Sequence, residues 1–285
     1  MADSVELNVM GEATGVVSTG FLIGRTFTPY LAGVGADTLG YFYVFVGGFI
    51  IAIIGVIVVS LFIVESKNRT IVPPRSRSYL KNMIFYEKKL MWLYLFTCID
   101  RFAWLLWVPL LNAYLKDVFD MSGGEVGGYN TIANITMSIS QYRLGKLIDR
   151  IGYVKGLLIS EITGFIASII IGLSPTRAFL ALGFILIGLS VTLWVPSYNA
   201  ALALSSPPSD RGKVFSSINA MRTIGSIPAP WIGGEIYGEI GASSPFICSS
   251  AILIVNSILL FKLCRRTTID GSSMCQPMEN FRRSL

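Results

Sequence analysis

Histidine is absent from the sequence, and the four cysteines, Cys98, Cys248, Cys264 and Cys275, form no CxxC pair and show no metal-ligand spacing. A metal site, a disulfide framework and a Ser/His/Asp triad all lack their usual ligands and bases, and no metal or cofactor is expected. No GxxxxGK[ST] loop occurs, and no polar segment is large enough for a nucleotide-binding domain, which argues against an ATP-driven pump. With no recognisable nucleophile and base pair, an enzyme is disfavoured as well. Charge is also scarce, at 14% of the 285 residues, against about 25% in an average soluble domain.

Apolar residues fill the gap, at 53% of the chain. They fall in blocks long enough to cross about 30 Å of hydrocarbon, which takes about 20 helical residues. The cleanest block, 41–64, has no charged residue between its ends. Others cover 16–32, 90–115, 126–144, 154–173, 178–204, 214–236 and 245–263. No ten-residue alternation of polar and apolar positions supports a membrane barrel, so helices are the remaining way to satisfy the backbone in lipid. The predicted fold is all-α, a polytopic membrane protein of about eight transmembrane helices.

Of the 23 basic residues, 18 lie in the segments 65–89, 143–155, 211–213 and 262–285, all on one side if the chain starts in the cytoplasm. The positive-inside rule then places both termini in the cytoplasm, with the plasma membrane as the expected location. The net charge of +6 reads as a topology signal, so no nucleic-acid partner is expected. Residues 1–10 lack the charged-then-apolar order of a signal peptide.

Four segments are expected: a partial N-terminal bundle at 1–64, a basic cytoplasmic linker at 65–89, a six-helix bundle at 90–264, and a cytoplasmic tail at 265–285. Within the linker, 79–89 mixes apolar and basic residues in a way that fits either a helix on an anionic membrane surface or a plain loop. The two ends of the chain repeat each other at a constant offset of 201 residues. Gly11 matches Gly212, Gly24 matches Gly225, Pro29 matches Pro230, Gly33 matches Gly234, Gly40 matches Gly241 and Phe45 matches Phe246. The repeated unit is a helix pair whose copies lie six spans apart, as in parents built from two parallel six-helix bundles.

The stretch Asp210, Arg211, Gly212 and Lys213, followed by Gly225, Pro230, Gly233 and Gly234, resembles the tenth-to-eleventh helix region of the major facilitator superfamily. The segment 145–152, with Gly145, Asp149, Arg150 and Gly152, resembles that family's short cytoplasmic signature. The resemblance runs over nearly the whole chain and implies helices five to twelve of a twelve-helix fold. It further implies transport of a small solute by alternating access, with the first four helices supplied by missing coding sequence or by a partner chain. A scaffold, receptor or subunit that keeps the fold without transporting is the alternative. In the family the Asp149–Arg150 element latches the cytoplasmic side against the opposite bundle, here near Gly11 to Gly15; a turn that only fixes topology is the plainer reading.

Ionisable residues inside spans cost about 2.5 to 3.5 kcal/mol each and need a partner or a water-filled cavity. Five qualify: Arg25, Asp100, Arg101, Glu161 and Arg222. Asp100 and Arg101 lie about ten residues into their span, roughly 15 Å deep, but point about 100° apart. Their helix resembles the family's seventh, a cavity-lining helix, and adds Trp104. The span resembling the tenth carries Trp194, Tyr198 and Asn199. Together these residues are candidates for a solute pocket, and Asp100 or Glu161 for carrying a coupling proton or ion. For any single aromatic, packing between helices is the competing reading.

Overall fold

The computed structural model describes residues 10–62, 90–205 and 211–269, with side chains over 20–61, 90–204 and 212–262. The expected linker at 65–89, most of the tail, and Asp210 lie outside the described residues. Among the described residues all regular structure is helical. The helices are α1 (Met10–Thr38), α2 (Tyr41–Phe62), α3 (Met91–Trp107), a 3-10 turn (Val108–Leu110), α4 (Leu111–Phe119), α5 (Gly123–Ile151), α6 (Tyr153–Gly172), α7 (Arg177–Ser205), α8 (Arg211–Ser226), α9 (Ala229–Glu239) and α10 (Ser244–Ile269).

Each of the eight apolar blocks coincides with one helical segment. Two of these are broken, at Val108–Leu110 and between Ser226 and Ala229. Pro109, and Pro228 with Pro230, explain the breaks, because a proline ring removes one backbone donor and crowds the carbonyl four residues back. Among the described residues, five segments are long and apolar enough to cross a membrane on length and composition alone: Tyr41–Leu61, Met91–Phe119, Tyr153–Gly172, Arg177–Leu204 and Ser244–Lys262. The other three, α1, α5 and the α8–α9 pair, carry more Gly, Ser, Thr and Asn. Such residues suit helices that face protein more than lipid. The chain is an all-α polytopic membrane protein.

The described residues form two compact units. Helices α1 and α2 with residues 121–134 make one, and residues 90–120 with 135–205 and 211–269 make the other. In the first, Asp37 near the end of α1 accepts hydrogen bonds from the backbone N–H groups of Gly123 (2.7 Å) and Gly124 (2.6 Å) at the start of α5. Glycine lets the backbones meet there: a Cβ on Gly127 would fall on the carbonyl oxygen of Pro29, and one on Gly33 on that of Gly123. Side chains from Phe42 to Leu61 on α2 are exposed almost all round, as befits a helix meant for lipid.

In the second unit, α6 packs on α7 and α10, and α3 on α8, α9 and α10. Leu93, Phe96, Asp100, Ala103 and Trp107 line one face of α3 and are buried, following the three-to-four residue spacing of a helical stripe. Leu90, Tyr94, Tyr153, Leu157, Tyr198 and Ile218 form part of the apolar core at one end.

The 201-residue repeat has a backbone counterpart. Gly40 (φ +90°) joins α1 to α2, and its match Gly241 (φ +137°) joins α9 to α10. Both positions need a conformation that side-chain-bearing residues rarely take. The copies differ at the prolines: α1 runs through Pro29 unbroken, whereas the second copy carries the additional Pro228 and breaks.

Candidate functional site

Five helices of the larger unit bring polar groups to one buried place. Asp100 on α3 and Glu161 on α6 are each only 2% exposed, and the two carboxyl groups are electrostatic neighbours. Arg222 on α8 reaches Asp100 Oδ2 at 3.7 Å from its Nη2. Asn256 on α10 donates from Nδ2 to Glu161 Oε2 and to the Phe96 carbonyl, both at 3.2 Å. Trp104, one turn along α3, is a further polar neighbour of the Asp100 carboxyl.

Arg222 also faces α7. Its guanidinium carbon lies 4.4 Å from the centre of the Trp194 ring and 5.4 Å from that of Tyr198. These two rings stack on each other at 4.4 Å, nearly parallel, with 23° between their planes. Spacing explains the geometry: residues 194 and 198 are four apart on one helix face, so both rings present to a single cation. A planar guanidinium over aromatic faces, with a carboxylate at its edge, satisfies a charge that lipid would not tolerate.

Several buried polar atoms in this region have no hydrogen-bond partner among the described residues: Asp100 Oδ1, Glu161 Oε1, Trp194 Nε1, Ser197 Oγ, Arg222 Nε and Asn256 Oδ1. An orphaned buried group costs about 1 to 3 kcal/mol, so burying these polar atoms together is expensive.

The structure thus gathers Asp100, Trp104, Glu161, Trp194, Tyr198 and Arg222. It does not bring Arg101 or Asn199 into the cluster; both are exposed, because each sits about 100° round its helix from a buried neighbour. Arg25 is exposed and belongs to the smaller unit, where its carbonyl accepts from Asn134 at 3.2 Å. In the segment 145–152, Gly152 (φ +89°) alone makes the turn between α5 and α6. Gly145 lies inside α5 with open space where a Cβ would be, and Asp149 and Arg150 are exposed.

Sequence reading missed Asn256, a lone amide within the apolar block 245–263 that is fully buried. Its position among hydrocarbon residues was the available signal. It also missed the pairs that bolt the helices together around the site. Tyr94 donates to Ser217 at 2.8 Å, and Ser160 and Ser190 each donate to the other's carbonyl at 2.9 and 3.0 Å.

Residues 90–274 match the pattern of the Major Facilitator Superfamily. Multidrug resistance protein MdtG of Escherichia coli (strain K12 / DH10B) is 27% identical over 287 residues, covering 96% of this chain and 68% of that relative. Among solved structures, a bacterial homologue of the iron transporter ferroportin in its inward-facing state superposes with a TM-score of 0.72 at 16% identity, covering 91% of this chain and 64% of that one. The human organic anion transporter MFSD10 (TETRAN) gives a TM-score of 0.56 at 20% identity, over 64% of this chain and 46% of that one. At these identities the structures speak for the fold alone, and the chain spans less than two thirds of each. The pattern match over most of the chain decides the family: this protein belongs to the Major Facilitator Superfamily.

Proposed function

We propose that the protein carries a small organic solute across the plasma membrane by alternating access, as a secondary active transporter with both termini cytoplasmic. One observation carries the reading. An ion pair, a second carboxyl and two stacked aromatic rings, buried or half-buried, lie together inside helices whose outer faces are apolar. Such a cluster is expensive in a membrane and is kept where a solute or ion must be held. The likeness to a multidrug resistance protein supports an organic solute as cargo, and the absence of an ATP-binding loop supports an ion gradient as the energy source.

In this scheme residues 90–264 form the bundle that holds the solute, and Trp194 and Tyr198 supply the faces against which it packs. Segment 65–89 tethers the bundle to the helices before it, and Asp149 and Arg150 contribute to cytoplasmic closure. The test is accumulation of fluorescent drugs, labelled organic anions and labelled peptides in cells with and without the protein. At least one class should be moved against its gradient, with dissipation of the proton gradient and the substitution Arg222→Ala each abolishing the effect. Equal accumulation of all three classes in both kinds of cell would overturn the reading.

A further inference from the structure

The last turns of α5 have two unlike sides. On one, Ile148 is buried and Ser140 Oγ donates to Thr192 Oγ1 on α7 at 3.4 Å. On the other, Ile135, Ile139, Tyr142, Arg143, Lys146 and Arg150 are all exposed, Ile139 at 74% and Tyr142 at 71%. A helix turns by about 100° per residue, which places these six within about 100° of arc, as a single stripe. The isoleucines come first along it, then the ring, then three cations within about 11 Å of helix rise. A bilayer presents the same layers in the same order: hydrocarbon, interface and charged headgroups.

The positive-inside rule asks for cations at this end of the helix, but not for one stripe continuous with apolar side chains. Lys146 Nζ sits over the ring of Tyr142, 4.5 Å from its centre. The ring holds a flexible ammonium at the level where aromatic side chains lie in a membrane interface. Among the described residues, no side-chain hydrogen bond or ion pair engages Arg143, Lys146 or Arg150. Asp149 is the single carboxylate of residues 135–155, and it lies about 60° to one side of Lys146. The stripe itself therefore carries cations alone, continuous with an apolar track.

We propose that this stripe binds one anionic phospholipid from the leaflet at that end of the helix, the cytoplasmic leaflet in the topology given above. Arg143 and Lys146 hold the headgroup phosphate, and Arg150 adds charge farther out. An acyl chain runs back over Tyr142, Ile139 and Ile135. That apolar contact is what selects a lipid over free phosphate. The inference rests on the membrane fold and goes beyond the transport reading, on which it does not depend.

The test is native mass spectrometry of the purified full chain in detergent, titrated with phosphatidylglycerol or with phosphatidylcholine of the same acyl chains. The wild type should bind phosphatidylglycerol about tenfold or more tightly than phosphatidylcholine, with the preference shrinking as salt is added. Arg143→Gln combined with Lys146→Gln should weaken phosphatidylglycerol binding about thirtyfold, at about fivefold per cation near an anionic surface. Tyr142→Leu should weaken it about two- to fivefold by removing the ring beneath Lys146. These side chains are exposed, so the fold should survive their loss; gel filtration checks this, and the wild-type comparison stands without the variants. Lys155→Gln combined with Lys262→Gln removes the same charge outside the stripe and should leave binding unchanged. Equal binding of the two lipids by the wild type, or equal losses in the two double variants, would overturn the proposal. Displacement of the lipid by millimolar inorganic phosphate would overturn it too, since the acyl chain would then contribute nothing. Lipid selectivity in a protein that moves no solute would count against the transport reading only, and transport without that selectivity against this inference only.

Discussion

Arg222 stands with its guanidinium 4.4 Å above the indole of Trp194 while its Nη2 reaches toward Asp100 at 3.7 Å. One cation is thus held by a ring on α7 and a carboxylate on α3. Removing it should strand Asp100 in the interior. Arg222→Ala is expected to cost about 3 kcal/mol, because breaking one side of a buried pair leaves the other charge uncompensated. The double variant Asp100→Asn with Arg222→Met should recover much of that loss. Thermal unfolding in detergent, followed by tryptophan fluorescence, checks both. Arg222→Lys keeps the charge but not the planar fork, and should retain the fold while losing the ring contact.

Asn256 is the group that joins α10 to both α6 and α3 through a single amide nitrogen. Asn256→Leu fills a similar volume but removes that donor from Glu161 and from the Phe96 carbonyl. A loss of about 1 to 3 kcal/mol is expected from the two acceptors left behind, read as a lower melting temperature. Tolerance of leucine without loss would mean that water replaces the amide there.

Neighbouring glycines on α9 should behave in opposite ways. A Cβ on Gly233 would collide with the carbonyl oxygen of Leu106, whereas one on Gly234 would meet nothing within 4 Å. Gly233→Ala is expected to destabilise the α3–α9 contact by about 1 to 3 kcal/mol and to lower the yield of monodisperse protein. Gly234→Ala should leave the yield unchanged or improve it, since alanine favours a helix over glycine by about 1 kcal/mol. Fluorescence-detected gel filtration of the pair is the measurement.

In the smaller unit, the two hydrogen bonds from Gly123 and Gly124 to Asp37 place a carboxylate at the positive end of α5. Asp37→Ala should speed hydrogen exchange at those two amides by about five- to thirty-fold, the equivalent of one to two kcal/mol. Asp37→Asn keeps an acceptor and should fall between. Mass spectrometry of the peptide covering 121–134 resolves the change.

The helical blocks were legible in sequence because lipid demands length and apolarity together, and that signal survives without knowledge of neighbours. Gly40 and Gly241 were legible as a repeat before their positive φ angles showed why glycine stands at both. Asp100 and Arg222 were legible as charges needing partners, though not as partners of each other: 122 positions separate them, and pairing across α3 and α8 is a matter of packing. Asn256 escaped notice because one amide scarcely alters the apolarity of its span.

Composition and the spacing of apolar residues determined that this chain is a bundle of membrane helices, with charges inside it that must be paid for. Tertiary structure alone decided which charges meet. A helix turns by about 100° per residue, so Asp100 faces inward to Glu161 and Arg222 while adjacent Arg101 turns away. Those partners come from separate helices; the register of α8 against α3 is set by close packing at Gly225 and by the Tyr94–Ser217 bond, and no periodicity in the chain encodes it.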